Sequence, residues 1–212
     1  NIQGQKAWVE NPGFPPARRA LEMAQLSLVP VPVDEEGINV SYGVQHAKEA
    51  ALALVTPGQQ APLGMTLSLE RRKQLLAWAA TNQRWIIEDD YLGELQLNRR
   101  AAPALFSMDN AGRVIYVGTF SKTISPVLRL GFMVVPTVLV DTVADVVASL
   151  SPAPDPALQM AVQTFLHKGH FLRHLRKMKR TYSTRSAELV SELRALGYEA
   201  SAQGLSVLLR LE

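Results

Sequence analysis

Trp85-Ile86-Ile87-Glu88-Asp89 is the stretch that decides the fold. Three successive apolar residues, two of them β-branched, stop abruptly in acids, and the run is too short to make a helix of its own. A helical pattern precedes it. Ser68 offers an N-cap hydroxyl, Glu70-Arg71-Arg72 make a polar first turn, and Leu69, Leu75, Leu76 and Trp78-Ala79-Ala80 recur at helical spacing. Ahead of that helix, residues 50–56 form a second apolar run ending at Thr56. Strand, helix and strand, with the strands apolar on both faces, is the pattern of a parallel sheet covered by helices on both sides. The expected class is α/β.

Working outward, Lys6-Ala7-Trp8-Val9-Glu10 reads as a strand, and Pro15-Pro16 opens a helix over roughly 16–25. Ser27-Leu28-Val29-Pro30-Val31-Pro32-Val33 is extended, and 113–119 and 130–135 are two further strands. About ten residues separate that last pair, too few for a helical crossover, so the second is expected to run antiparallel to its neighbour. Past Pro136 the texture changes to a helix over 138–150 and then a stiff break, Ser151-Pro152-Ala153-Pro154-Asp155-Pro156. Helical patterns continue to about Leu196, interrupted at Gly169; Gly197 reads as a stop, and 205–211 alternates as a strand. The expected organisation is a large domain over 1–150 and the start of a smaller α+β domain over 151–212. Asn1-Ile2-Gln3 carries neither an initiator methionine nor a signal segment, so the expectation is a piece of a longer protein, incomplete at both ends.

Composition sets outer limits. The 212 residues include 22 Lys+Arg and 19 Asp+Glu, a formal charge of +3, and 47% are hydrophobic, which excludes intrinsic disorder. No uninterrupted apolar stretch approaches the roughly 18 residues of a membrane span. Cysteine is absent, which removes disulfide frameworks, thiolate zinc sites and cysteine nucleophiles. A reducing compartment fits, and the expected location is the cytoplasm.

Ligands of a parallel sheet bind beyond the carboxyl ends of its strands, and three such ends are polar here. Asp90 and Tyr91 follow 85–89, and alternation puts Asp89 and Tyr91 on one face with Glu88 and Asp90 on the other. The strand at 114–119 ends in Thr119-Phe120-Ser121-Lys122-Thr123, and Arg129 comes shortly after. The strand ending at Thr56 enters Pro57-Gly58-Gln59-Gln60-Ala61-Pro62-Leu63-Gly64. A carboxylate, a phenol, an amine, hydroxyls and a guanidinium match the needs of pyridoxal 5'-phosphate. A lysine forms the Schiff base with its aldehyde, and an acid keeps the pyridine nitrogen protonated so the ring acts as an electron sink. A tyrosine hydroxyl can hold the phenolic oxygen, and small hydroxyls with an arginine fork can hold the phosphate.

Tyr116-Val117-Gly118-Thr119-Phe120-Ser121-Lys122-Thr123, then Ser125-Pro126 and Leu128-Arg129-Leu130-Gly131, closely resembles the lysine motif of fold-type I aminotransferases. Together with Trp85-Ile86-Ile87-Glu88-Asp89-Asp90-Tyr91 and Glu10-Asn11-Pro12-Gly13-Phe14-Pro15, it resembles the aminotransferase-like domain of MocR-type regulators, a branch of the bacterial GntR family. Lys122 follows Asp89 by 33 residues, a spacing that agrees with the family. The resemblance implies Lys122 as the Schiff-base lysine, Asp89 as partner of the pyridine nitrogen and Tyr91 as donor to the phenolic oxygen. It implies Phe14 stacked on the ring, where the family usually has tyrosine, and Thr119, Ser121 and Arg129 around the phosphate. Ala61 stands where aminotransferases often place asparagine. A winged helix-turn-helix, a phosphate-binding loop ahead of the first strand and a substrate-carboxylate arginine are all expected to lie outside this chain.

The implied function is sensing, in which a small amine or amino acid replaces Lys122 on the cofactor as an external aldimine, in a cytoplasmic homodimer that touches DNA only through the missing winged helix-turn-helix. The alternative is a catalytic fragment of a class I/II aminotransferase; slow or absent turnover is expected. His167, His170 and His174 share a spacing that one helix could turn toward a metal, but Gly169 interrupts them and no carboxylate completes a set, so no metal site is expected. The stretch 168–185 holds Lys168, Arg173, Arg176, Lys177, Lys179, Arg180 and Arg185 with no acid. Phe171, Leu175, Met178 and Tyr182 form an apolar stripe beside them, which makes an amphipathic helix with a solvated basic face.

Overall fold

β1 (Lys6–Asn11) is buried from Ala7 to Glu10, and its alternation sorts the core into two layers. Ala7 and Val9 face Leu21 of α1 (Pro15–Met23) and Leu26 just beyond it. Trp8 points the other way, among Ile38, Ala47, Leu75 and Trp78. Its ring stacks on Trp78 with 4.1 Å between centroids, and its indole N–H donates to the Ala47 carbonyl at 2.8 Å. The polar edge of a fully buried ring is thereby satisfied.

The structure, a computed structural model, describes residues 3–93, 95–97, 102–150 and 154–210. Residues 1–90 and 102–117 group into one compact unit, and 91–101 and 118–212 into a second. In the first unit, α1 is followed by β2 (Ser27–Asp34), β3 (Gly37–Ile38), α2 (Val40–Ala47), β4 (Leu52–Val55), α3 (Leu69–Thr81), β5 (Trp85–Asp90) and α4 (Leu105–Met108). β1 pairs in parallel with β2 and β4, and β4 with β5, while β3 folds back antiparallel on β2. α1 covers one face, and α2 and α3 cover the other. With β6 (Val114–Thr119) and β7 (Gly131–Val134), the strand order is β3-β2-β1-β4-β5-β6-β7. This is the expected α/β class with a mostly parallel sheet.

Local chemistry starts the helices. The Ser68 hydroxyl accepts the Arg71 N–H at 3.3 Å to cap α3, and the Asn39 side chain accepts the Tyr42 N–H at 2.9 Å to cap α2. The first turn of α3 is less solvated than its polarity implies, because Arg72 is only 3% exposed. Its guanidinium donates to the carbonyls of Leu67 at 2.8 Å, Pro57 at 2.7 Å and Pro103 at 2.6 Å. One buried cation thus ties the loop after β4 and the segment before α4 to α3.

In the second unit the Phe120 N–H donates to the Leu130 carbonyl at 3.1 Å, and Gly118 lies against the Phe132 ring, where a Cβ would collide. Partners rise along one segment as they fall along the other, the antiparallel sense that the short connection demands. α5 (Val140–Leu150), α6 (Pro156–His167) and α7 (His170–Ala195) follow. The expected break at Ser151-Pro152-Ala153 lies outside the described residues; beyond it, Asp155 caps α6 by accepting the Ala157 N–H at 2.8 Å. Gly169, at φ +69°, separates α6 from α7. On α7, Leu175 is buried while Arg173, Arg176, Lys177 and Arg180 are exposed. The chain's last expected strand is β9 (Ser206–Arg210), and it has an antiparallel partner, β8 (Glu199–Gln203). β8 escapes sequence reading because Glu199-Ala200-Ser201-Ala202-Gln203 contains no β-branched or aromatic residue.

Candidate functional site

β5 ends in three consecutive carboxyls with three different surroundings. Glu88 is 2% exposed and accepts the N–H groups of Leu105 at 2.8 Å and Phe106 at 2.9 Å, which closes the start of α4; burial pushes its pKa above the ordinary range. Asp90, two residues on along the same face, accepts the Tyr116 hydroxyl at 2.7 Å. Asp89 takes the opposite face, the side on which Ile87 packs. Among the described residues no hydrogen bond or ion pair reaches it. Burial, and secondarily the charge of Asp90, pushes its pKa up to about 6.

A fourth carboxyl closes β1. Glu10 is 4% exposed; its Oε1 accepts the Thr56 N–H at 3.1 Å, and its Oε2 accepts the Thr56 hydroxyl at 2.5 Å and the Gln60 amide at 3.2 Å. Burial raises its pKa against these three donors, and the charge of Asp89 raises it further. Glu10, Thr56, Gln60 and Arg72 are buried polar residues that sequence reasoning did not assign to the site. The available signal was an acid ending an apolar strand next to Asn11-Pro12-Gly13, where a Cβ on Gly13 would strike the Glu10 carbonyl. Phe14 holds the position before α1, without a capping bond and 46% exposed.

The second unit carries Tyr91 and the segment leading from β6 to β7: Thr119 ends β6, Ser121 and Lys122 lie on the turn that follows, and Arg129 comes just after a short 3-10 helix, Pro126–Leu128. The Thr119 hydroxyl accepts the Ser121 N–H at 3.1 Å, and Phe120 O accepts the N–H groups of Ile124 at 2.9 Å and Ser125 at 3.1 Å. Lys122 stands exposed at the top of this turn. Arg129 is a non-glycine residue at φ +50°, in the left-handed region that costs about 1 kcal/mol or more. Among the described residues neither Lys122 nor Arg129 has an ion-pair partner. Thr123 is buried, and its hydroxyl finds no hydrogen-bond partner among the described residues. His174 Nε2 lies 3.0 Å from the Thr123 carbonyl oxygen; a carbonyl only accepts, so this nitrogen carries the proton. Among the described residues no group of three His, Asp or Glu is placed to hold a metal, and no helix is long and apolar enough to cross a membrane.

Comparison with known proteins follows the same lines. The chain is 39% identical over 189 residues to the probable rhizopine catabolism regulatory protein MocR of Rhizobium meliloti, covering 89% of this chain and 38% of that protein. It is 36% identical over 205 residues to the HTH-type transcriptional regulator YdeL of Bacillus subtilis, uncharacterized, covering 95% and 43%. The chain therefore spans about two-fifths of the length of these relatives. Among solved structures, Pyrococcus horikoshii kynurenine aminotransferase in complex with PMP superposes with a TM-score of 0.87 at 26% identity, covering 95% of this chain and 53% of that one. With a sheet, a lysine turn and an acidic strand end laid out in this way, and with residues 1–210 matching its pattern, the chain belongs to the aminotransferase class I and II family.

Proposed function

We propose that this chain is the pyridoxal-phosphate-binding, effector-sensing domain of a bacterial transcription regulator. The observation that carries the proposal is Asp89. A half-buried carboxyl with no partner among the described residues is costly unless a cation comes to face it, and a protonated pyridine nitrogen is such a cation. Its neighbours Glu88 and Asp90 are already engaged within the fold. The donor set of the second unit fits the rest of the cofactor: an amine on Lys122, hydroxyls on Thr119 and Ser121, and the uncommitted guanidinium of Arg129. Lys122 then forms the Schiff base, Asp89 holds the pyridine nitrogen, Tyr91 the phenolic oxygen, and Phe14 stacks on the ring. Thr119, Ser121 and Arg129 bind the phosphate. When bound, the cofactor supplies an aldehyde carbon that an amine or amino-acid effector can take over from Lys122.

Support for a regulator comes from relatives bearing regulator names at 39% and 36% identity, against 26% for the aminotransferase. On this proposal DNA is reached through a winged helix-turn-helix outside the chain, the protein works as a cytoplasmic homodimer, and 1–150 and 151–212 are the large domain and the start of the small one. The competing proposal, part of a working aminotransferase, draws on the same Lys122, Asp89 and Tyr91. The test is to incubate the full-length protein, which carries the phosphate-binding loop on this reading, with pyridoxal phosphate, reduce with borohydride and map the label. A pyridoxyl group on Lys122 is expected; labelling elsewhere, or none, overturns the assignment.

A further inference from the structure

Glu10 and Gln60 meet where the chain leaving β1 passes the chain leaving β4. Gln60 is 1% exposed and uses every polar atom it has. Its Nε2 donates to the Pro12 carbonyl at 2.8 Å and the Ala61 carbonyl at 2.7 Å, and reaches Glu10 Oε2 at 3.2 Å. Its Oε1 accepts the Leu63 N–H at 3.0 Å, its carbonyl accepts the Gly64 N–H at 2.6 Å, and its own N–H donates to the Met65 carbonyl at 2.7 Å. Pro12 lies two residues before Phe14. A single amide therefore joins the segment that carries Phe14 to the whole 60–65 turn, and Glu10 orients that amide.

We propose that Glu10 is a positioning residue: by fixing the Gln60 amide it locks the Pro12–Phe14 segment to the Gln60–Gly64 turn, giving the cofactor ring a preformed wall. The inference rests on the cofactor reading above. A carboxylate suits the task because it only accepts, and both of its oxygens face donors. An amide of the same shape cannot take its place. Whichever way a glutamine at position 10 is turned, its NH2 meets either the Thr56 N–H or the Gln60 NH2, a donor against a donor. Burying an acid here is unfavourable in itself, and burial raises the Glu10 pKa despite its three donors, so the arrangement persists by virtue of the hydrogen bonds it organises.

Glu10→Gln is therefore the discriminating variant, with Gln60→Met as a second that cuts the same link while leaving Glu10 its two bonds to Thr56. In the chain without cofactor, amide hydrogen exchange at Leu63 and Gly64 is expected to speed up at least tenfold in both variants, with β1 and β4 unchanged. Pyridoxal phosphate affinity is expected to fall about tenfold, while competition by inorganic phosphate, which reads the second unit's turn alone, stays as in the wild type. Unchanged exchange in both variants, or equal losses for pyridoxal phosphate and inorganic phosphate, overturns the positioning role. If the wild type fails to label at Lys122, the cofactor reading fails instead, and the exchange measurement still decides whether Glu10 locks the two segments.

Discussion

At the scale of single residues, Asp89 costs the fold stability once it ionises. Its pKa is about 6 in the fold against an ordinary 3.8, so the folded chain binds this proton more tightly than the unfolded chain does. Its contribution to stability is complete below about pH 4 and is lost as pH rises through 6. Asparagine cannot ionise and escapes that loss. Asp89→Asn is therefore expected to be more stable than the wild type at pH 8 by roughly 1–3 kcal/mol, discounted for partial solvation, and equal to it near pH 4. The same variant should bind pyridoxal phosphate less tightly. Urea unfolding of both proteins at the two pH values checks the first part, and an advantage over the wild type that is no larger at pH 8 than at pH 4 refutes it. Asp90→Asn should instead lose stability, because Asp90 accepts the Tyr116 hydroxyl. The difference between these neighbours was legible in the sequence from the two-residue period of a strand. The Glu10 cluster was not, because its partners Thr56 and Gln60 lie 46 and 50 residues away and only folding brings them near.

At the scale of elements, legibility follows where the stabilisation comes from. α3 could be read down to its Ser68 cap because the signals are local: a capping hydroxyl and leucines at helical spacing. α2 could not. Val40-Ser41-Tyr42-Gly43-Val44-Gln45-His46-Ala47 is short and rich in weak helix formers, and it is held by the Asn39 cap, the stacking of Tyr42 on His46 at 3.9 Å and its seat on Trp8. That seat makes a test. Replacing a helical glycine by alanine usually stabilises by about 1 kcal/mol. At Gly43, however, a Cβ would stand 2.9 Å from the six-membered ring of Trp8, and that ring is pinned by its stack on Trp78 and its bond to Ala47. Gly43→Ala is expected to destabilise by about 1–3 kcal/mol through overpacking, seen as a lowered urea midpoint with an unchanged slope. A rise in the midpoint means that α2 shifts freely over the sheet.

At the scale of the whole molecule, this chain superposes on an aminotransferase while its sequence matches proteins named as regulators, so architecture alone does not separate the two. The separation lies in what the site leaves uncommitted. Transamination asks for a base to move a proton at the substrate carbon, and on the proposal above Lys122, once displaced, would provide it in either class of protein. Rapid turnover also asks for the substrate carboxylate to be clamped, since a misplaced reacting bond costs orders of magnitude in rate. Guanidinium groups are the natural clamp. Among the described residues near the carboxyl ends of the strands, Arg72 is spent on three carbonyls and Arg71 on Asp34 and the Gly37 carbonyl. Arg18 and Arg129 carry no side-chain bond among the described residues; on the proposal above Arg129 binds the phosphate, and the substrate-carboxylate arginine is expected outside this chain. With Ala61 standing where aminotransferases often place asparagine, the full-length protein loaded with pyridoxal phosphate is expected to show spectral titration with small amines or amino acids while producing keto acid at well under about 1 per second, the lower edge of ordinary enzyme rates. Turnover at or above that rate would mean that a cation reaches the substrate from elsewhere, and would promote the aminotransferase over the sensor.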